Sequence, residues 1–291
     1  MDERETRTLE IHKAALSGLR NPTKKLATRR LFLELKELKN TPPSKEWLEA
    51  AVLVSVLRLA RPRNAVGFLN LLREMAVTPE EKSHFSAFYK EIFEYLVPLI
   101  ITNHGYLEES FVNAPHKEIW DGVENHMTIL KNAGCRVFLN SGTLLGLVRD
   151  GELIGHDNDI DLAIILDAET PEDAAIEWKA FPQKLSDLGI FSEGSQEYNG
   201  LLRLTPIACF EVDIFPGWFA NDKVYIYPHT YGELEPKDVY PFRTCKITGL
   251  NQPAEPEKML KINYGEGWNV PDPLFKFRKP NYFKDFLNDT K

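Results

Sequence analysis

No apolar run in this sequence approaches the length of a membrane span. The longest, Tyr95–Ile101, is interrupted by Pro98, whereas a spanning helix needs roughly 20 apolar residues. The opening segment, MDERETRTLE, lacks the apolar stretch of a secretory signal. The expectation is a soluble, cytoplasmic protein with no transmembrane segment, meeting any membrane-attached substrate from the cytosolic side. Cysteine is scarce: Cys135, Cys209 and Cys245 are scattered and odd in number. No zinc-ligand spacing links them and each lies beside apolar residues, which predicts reduced core thiols rather than bridges. Basic blocks are missing too. A net charge of −8 with no Lys/Arg run argues against a nucleic-acid surface.

Core material is ample, with 43% apolar residues and 11% aromatics in 291 residues, enough for one large or two ordinary domains. Residues 1–110 carry helical signals and almost none for strands. Leu31, Phe32, Leu35 and Leu38 recur at helical spacing until Thr41-Pro42-Pro43 breaks the pattern. Ser44 caps a second helix, with Trp47, Leu48, Ala51, Val52 and Val56 turned inward, and Arg61-Pro62 is read as its end. Phe68, Leu69, Leu72 and Met75 form a third. Thr78-Pro79-Glu80-Glu81 is a capping box that opens a fourth. This reads as an all-α domain of helical hairpins without a residue-level repeat. It could pack on the remainder of the chain or dock a protein partner.

From residue 111 to 291 the pattern changes to a mixture of strands and helices. Pro115–Asn132 reads as a helix with Ile119, Val123, Ile129 and Leu130 as its core stripe, stopped by Gly134. Pro171–Asp187 reads as a helix, and Gly200–Ile207, Ala208–Phe215 and Lys223–Tyr227 as strands. From Pro228 onward the expectation is an irregular wrap.

The most informative stretch is Val137–Leu166. Two apolar runs, Cys135–Leu139 and Ile160–Leu166, flank a turn of small residues, Ser141-Gly142-Thr143, and a short apolar helix. Asp159 and Asp161 open the second run. Strand side chains alternate faces, so these two carboxylates point the same way. Parallel carboxylates repel unless a cation lies between them, and oxygen ligands suit Mg²⁺ or Mn²⁺. The bland alternative is a solvated acidic turn. It sits poorly at the head of so apolar a strand, where uncompensated charge is costly. Asp213, in the β-rich run Phe210–Phe215, is a third carboxylate that could complete a metal shell or act as a general base, with Glu211 competing. The N–H groups at Ser141, Gly142 and Thr143 offer a phosphate seat at a helix start. Arg149 could hold a phosphate or pair with Asp157 or Glu152. Arg203 could bind a donor or be a surface charge.

In combination these residues resemble the LicD/fukutin family of nucleotidyltransferase-fold phosphotransferases. The resemblance rests on SGTLLGLVR (141–149), HDNDID (156–161), VDIFP (212–216), Pro256 and YGEGW (264–268), and covers about residues 115–275. It implies an α+β fold, a nucleotidyltransferase-like mixed sheet flanked by helices behind the all-α domain. It also implies a metal-dependent phosphotransferase. Such an enzyme moves a phospho-alcohol from a CDP-activated donor, such as CDP-choline or a CDP-alditol, to a hydroxyl of a glycan or glycolipid, releasing CMP. Family members commonly carry an aspartate at the position of Asp157, whereas His156 and Asn158 depart from the pattern beside it. Lys261 and Tyr264 precede the element that closes the site in the family, and Tyr264 and Trp268 could stack on a base or sugar. Two rival readings are a nucleotidyltransferase moving NMP from an NTP to a small hydroxyl compound, and a non-catalytic glycan-binding scaffold.

Overall fold

The protein is described by a computed structural model covering residues 2–289 apart from 24–25, 103–104, 109, 193–199, 273 and 276–282. The chain divides into two compact units: Met1–Glu108 with Asp272–Phe275, and Glu109–Pro271 with Lys276–Lys291. No helix among the described residues is long and apolar enough to cross a membrane.

The first unit contains α1 (Glu3–Arg20), α2 (Thr28–Leu38), α3 (Lys45–Leu57), α4 (Pro62–Met75) and α5 (Pro79–Leu96). A two-residue hairpin comes next, β1 (Ile100–Ile101) with β2 (Tyr106–Leu107). The unit's axis is α3, buried at every position from Trp47 to Val56, as expected of a helix apolar all round. The caps fall where the sequence puts them: Ser44 accepts from Trp47 N–H, and Thr78 and Glu81 form a capping box. Two details differ. Arg61-Pro62 does not end α3, which stops at Leu57; Pro62 instead opens α4, because proline suits a first turn whose N–H needs no partner. Helix α1 carries no clear apolar stripe, since its core contacts include Thr8, Ala15 and Gly18, residues with little apolar signal.

In the second unit α6 (His116–Asn132) ends as predicted at Gly134, which takes φ +80°. Its terminal carbonyls accept from Gly134 and Cys135, a Schellman closure. Then come β3 (Arg136–Leu139), α7 (Ser141–Arg149), β4 (Asp159–Ile165), α8 (Pro171–Asp187), β5 (Leu202–Ile207), β6 (Phe210–Ala220), β7 (Lys223–Ile226) and β8 (Thr230–Tyr231). The main sheet runs β3-β4-β6-β7-β8, with β5 also on β6. Among the described residues only β4 and β6 are parallel, so the sheet is mixed and the α+β expectation holds. The region after Pro228 is more ordered than an irregular wrap. It holds α9 (Pro236–Val239), the pair β9 (Arg243–Thr244) and β10 (Asn251–Gln252), α10 (Pro256–Tyr264) and α11 (Lys284–Asp289). Burial of Met259 and Leu260 anchors α10, a tertiary contact that a proline-rich composition hides. Of the three cysteines only Cys245 is a core thiol; Cys135 is half-buried, and Cys209 is exposed in a tight turn where Ala208 takes φ +53°.

Candidate active site

Strand register gathers the acids. In the parallel β4/β6 ladder Asp161 faces Asp213 and Asp159 faces Glu211, and ladder partners carry their side chains on one face. Asp161 is 7% exposed and Asp213 6%. The row extends both ways. On β5, Arg203 lies opposite Asp213, donates Nε–H to its Oδ1 at 3.0 Å and also contacts Glu211. Of the two competing acids, Asp213 is therefore the buried one, and Glu211 sits half-exposed at the rim. Beyond β3, the Asn140 N–H donates to the Asp161 carbonyl at 3.0 Å, continuing the β3/β4 register one step with extended backbone. Asn140, Asp161, Asp213 and Arg203 thus form one line across four strands.

The small-residue turn closes over this line. Gly142 N–H donates to Asp161 Oδ2 at 2.7 Å, and Thr143 Oγ1 accepts from Asp161 N–H at 2.9 Å. A side chain at 142 cannot be accommodated, because its Cβ would lie 2.6 Å from Asp157 Oδ2 and 3.1 Å from Asp161 Oδ2. Ser141 takes φ +38°, a left-handed conformation that costs a non-glycine residue free energy and gathers at functional sites. The amide of Gly142, expected to face a phosphate, is engaged here by a carboxylate.

Compensation for so much negative charge is thin. Burial, then the charges of Asp159, Asp157 and Asp213, hold the Asp161 carboxyl well above the usual range against the pull of the Gly142 amide. Burial and the adjacent Asp159, with which it shares a hydrogen bond, do the same to Asp157. Asp213 is pushed up to about 7 by burial and Asp159, with Arg203 opposing. Tyr264, at the end of α10, feels the same cluster. Burial and the charges of Asp161, Asp157 and Asp159 keep its phenol protonated, and Arg149 opposes them. Arg149 itself grips Asp150, at 2.6 Å from Nη2 to Oδ2, rather than Asp157 or Glu152. A neighbour in sequence at the helix end meets the guanidinium first. Lys261 is exposed and pairs with Glu266 at 2.9 Å. His156 and Trp268 are half-buried. The residue that sequence reasoning missed is Asn140.

Among the described residues no three histidine, cysteine or acidic side chains are grouped so that they could hold a metal ion as they stand. The donor chemistry nonetheless fits a hard divalent cation. Asp157, Asp159, Asp161 and Asp213 are all oxygen donors, mutually repelling and short of positive partners.

A mixed sheet with paired aspartates at the head of one strand, a third on its parallel neighbour and a glycine turn opposite defines a nucleotidyltransferase-type domain. Residues 134–255 match the family described as LicD/FKTN/FKRP, nucleotidyltransferase domain. The match includes the turn and the acids but stops short of Lys261, Tyr264 and Trp268. A comparison with curated proteins returned no match.

Proposed function

We propose that the chain is a divalent-cation-dependent phosphotransferase. It moves a phospho-alcohol, phosphocholine or an alditol phosphate, from a CDP-activated donor to a glycan or glycolipid hydroxyl on the cytoplasmic side, releasing CMP. The match of residues 134–255 to this family supports phosphotransferase-like work on glycans. The observation that carries the reading is the alignment of Asp161 with Asp213 across adjacent parallel strands, with Asp159 on the same face. Asp159 and Asp161, with Asp157 and Asp213 beside them, would hold Mg²⁺ or Mn²⁺, which neutralises charge on the transferring phosphoryl group. Asp213 would orient and deprotonate the attacking hydroxyl, a role that a carboxyl pushed up to about 7 supports near neutral pH. Arg203 keeps Asp213 aimed by its Nε–H bond at 3.0 Å. Tyr264 offers a protonated hydroxyl at the same corner. Ser141 and Thr143 flank the place where the donor's phosphates approach.

Product analysis tests the proposal. CDP-choline, CDP-glycerol or CDP-ribitol with Mg²⁺ and a glycan acceptor is expected to yield CMP and a phosphodiester seen by ³¹P NMR. Pyrophosphate from an NTP would instead establish the nucleotidyltransferase reading, which keeps the same acids but breaks a different bond. Glycan binding without any divalent-ion response would establish a scaffold.

A further inference from the structure

Asn140 stands at the N-cap of α7 without capping it. An asparagine there ordinarily accepts a hydrogen bond from the N–H two or three residues on. The N–H two residues on is that of Gly142, and it goes to Asp161 Oδ2 at 2.7 Å; the Asn140 side chain makes no capping bond. Asn140 is 2% exposed, and its Oδ1 is buried without a donor. Buried acceptors are nearly always paired, so an orphan calls for a reason. Strand register places this side chain on the same face as Asp161, and its N-cap position, two residues before Gly142, is the one from which an asparagine reaches that amide.

We infer that Asn140 and Asp161 are alternative acceptors for the Gly142 N–H, and that Asn140 is a positioning residue for Asp161. In the arrangement described, the Asp161 carboxylate caps α7 from the neighbouring strand. When that carboxylate turns to a divalent cation, the Gly142 N–H would be stranded at a buried helix start. Asn140 Oδ1 takes it over, so α7 remains capped and Asp161 is released at lower cost. Bonds from the main-chain N–H of Asp161 to the Thr143 side-chain Oγ1, 2.9 Å, and from Asn140 N–H to the Asp161 carbonyl, 3.0 Å, hold both residues while one side chain rotates. The exchange of acceptors stands on geometry alone; its coupling to a cation rests on the proposed function.

A double-mutant cycle followed by thermal unfolding in EDTA tests the exchange. Asn140→Ala is expected to leave the melting temperature within about 1 °C, since its oxygen bonds nothing in this state. In the Asp161→Ala background, where Asn140 has become the cap, the same change is expected to lower it by roughly 2–4 °C, and Asn140→Ser to restore most of the loss. Equal effects of Asn140→Ala in both backgrounds overturn the exchange, because a merely structural asparagine behaves that way. Mn²⁺ titration by thermal shift tests the coupling. Asn140→Ala is expected to raise the midpoint about fivefold, the equivalent of one lost cap. The same midpoint in wild type and Asn140→Ala overturns the coupling alone; no Mn²⁺ response in wild type overturns the cation reading with it, while the cycle in EDTA still decides the exchange.

Discussion

Two buried carboxylates, one in each unit, are treated in opposite ways. Glu49 on α3 is 5% exposed, and the Nε2 atoms of His12 on α1 and His84 on α5 lie 3.0 Å and 2.8 Å from its two oxygens. Burial pushes its carboxyl up, but the two imidazoles outweigh burial and leave it below the usual range. Asp161 is buried to a similar degree, yet it faces three other acids and receives a single amide hydrogen bond, and its carboxyl is driven up. The glutamate ties three helices together and is fully supplied with partners. The aspartate is left under-supplied, as its proposed part in holding a cation requires. Buried charge by itself therefore says little about function; the balance of its partners says more.

The sharpest way to break this contrast is to remove each acid. Asp161→Ala is expected to reduce transfer by on the order of a thousandfold or more. It should leave the melting temperature unchanged or higher, because crowded like charges are relieved. Full activity in that variant, measured as CMP release, would sink the metal assignment. Glu49→Ala should do the reverse to stability, costing the helical unit about 3 kcal/mol in urea unfolding, since two imidazoles lose their shared acceptor.

Acid titration should split the units by sign. Glu49 has a folded pKa below its ordinary 4.5, so the stability it contributes is present above 4.5 and lost as pH falls through the lower folded value. Asp213 goes from an ordinary 3.8 to about 7, so its contribution is lost as pH rises through 7 and returns as pH falls toward 3.8. In EDTA, amide hydrogen exchange of the sheet unit should therefore slow between pH 8 and 5 once the intrinsic rate is divided out, with no such gain around α3. Parallel behaviour of the two units would remove the distinction. The smallest expected effect is that of Ser141→Gly. Relief of its positive φ should stabilise the sheet unit by up to about 1 kcal/mol, and no change in melting temperature would mean that the turn is not strained.

Much of the site is legible in the chain itself. The two-residue spacing of Asp159 and Asp161 in an apolar run is enough to put them on one face. Gly142 between a strand and a helix marks the turn, though what demands it is Asp157 and Asp161 pressing on its missing Cβ. The choice between Asp213 and Glu211 is not legible, because parallel register joins segments more than fifty residues apart and no local pattern encodes it. Arg149 reads as a phosphate fork or a partner of Asp157 or Glu152, whereas the fold turns it to Asp150. Helix α1 and helix α10 are hidden for a related reason: small or polar residues in the one, a proline-rich flank in the other, each anchored by tertiary burial.

Alternation along a strand, caps at helix starts and the all-round apolarity of α3 are local properties, and the amino-acid sequence by itself determined them. Which acid lies beside Asp161, and that Asp161 rather than Asn140 holds the first turn of α7, only the tertiary structure decided. Those contacts depend on the hydrogen-bond register between distant strands, which is set by how the whole core packs rather than by any neighbouring residue.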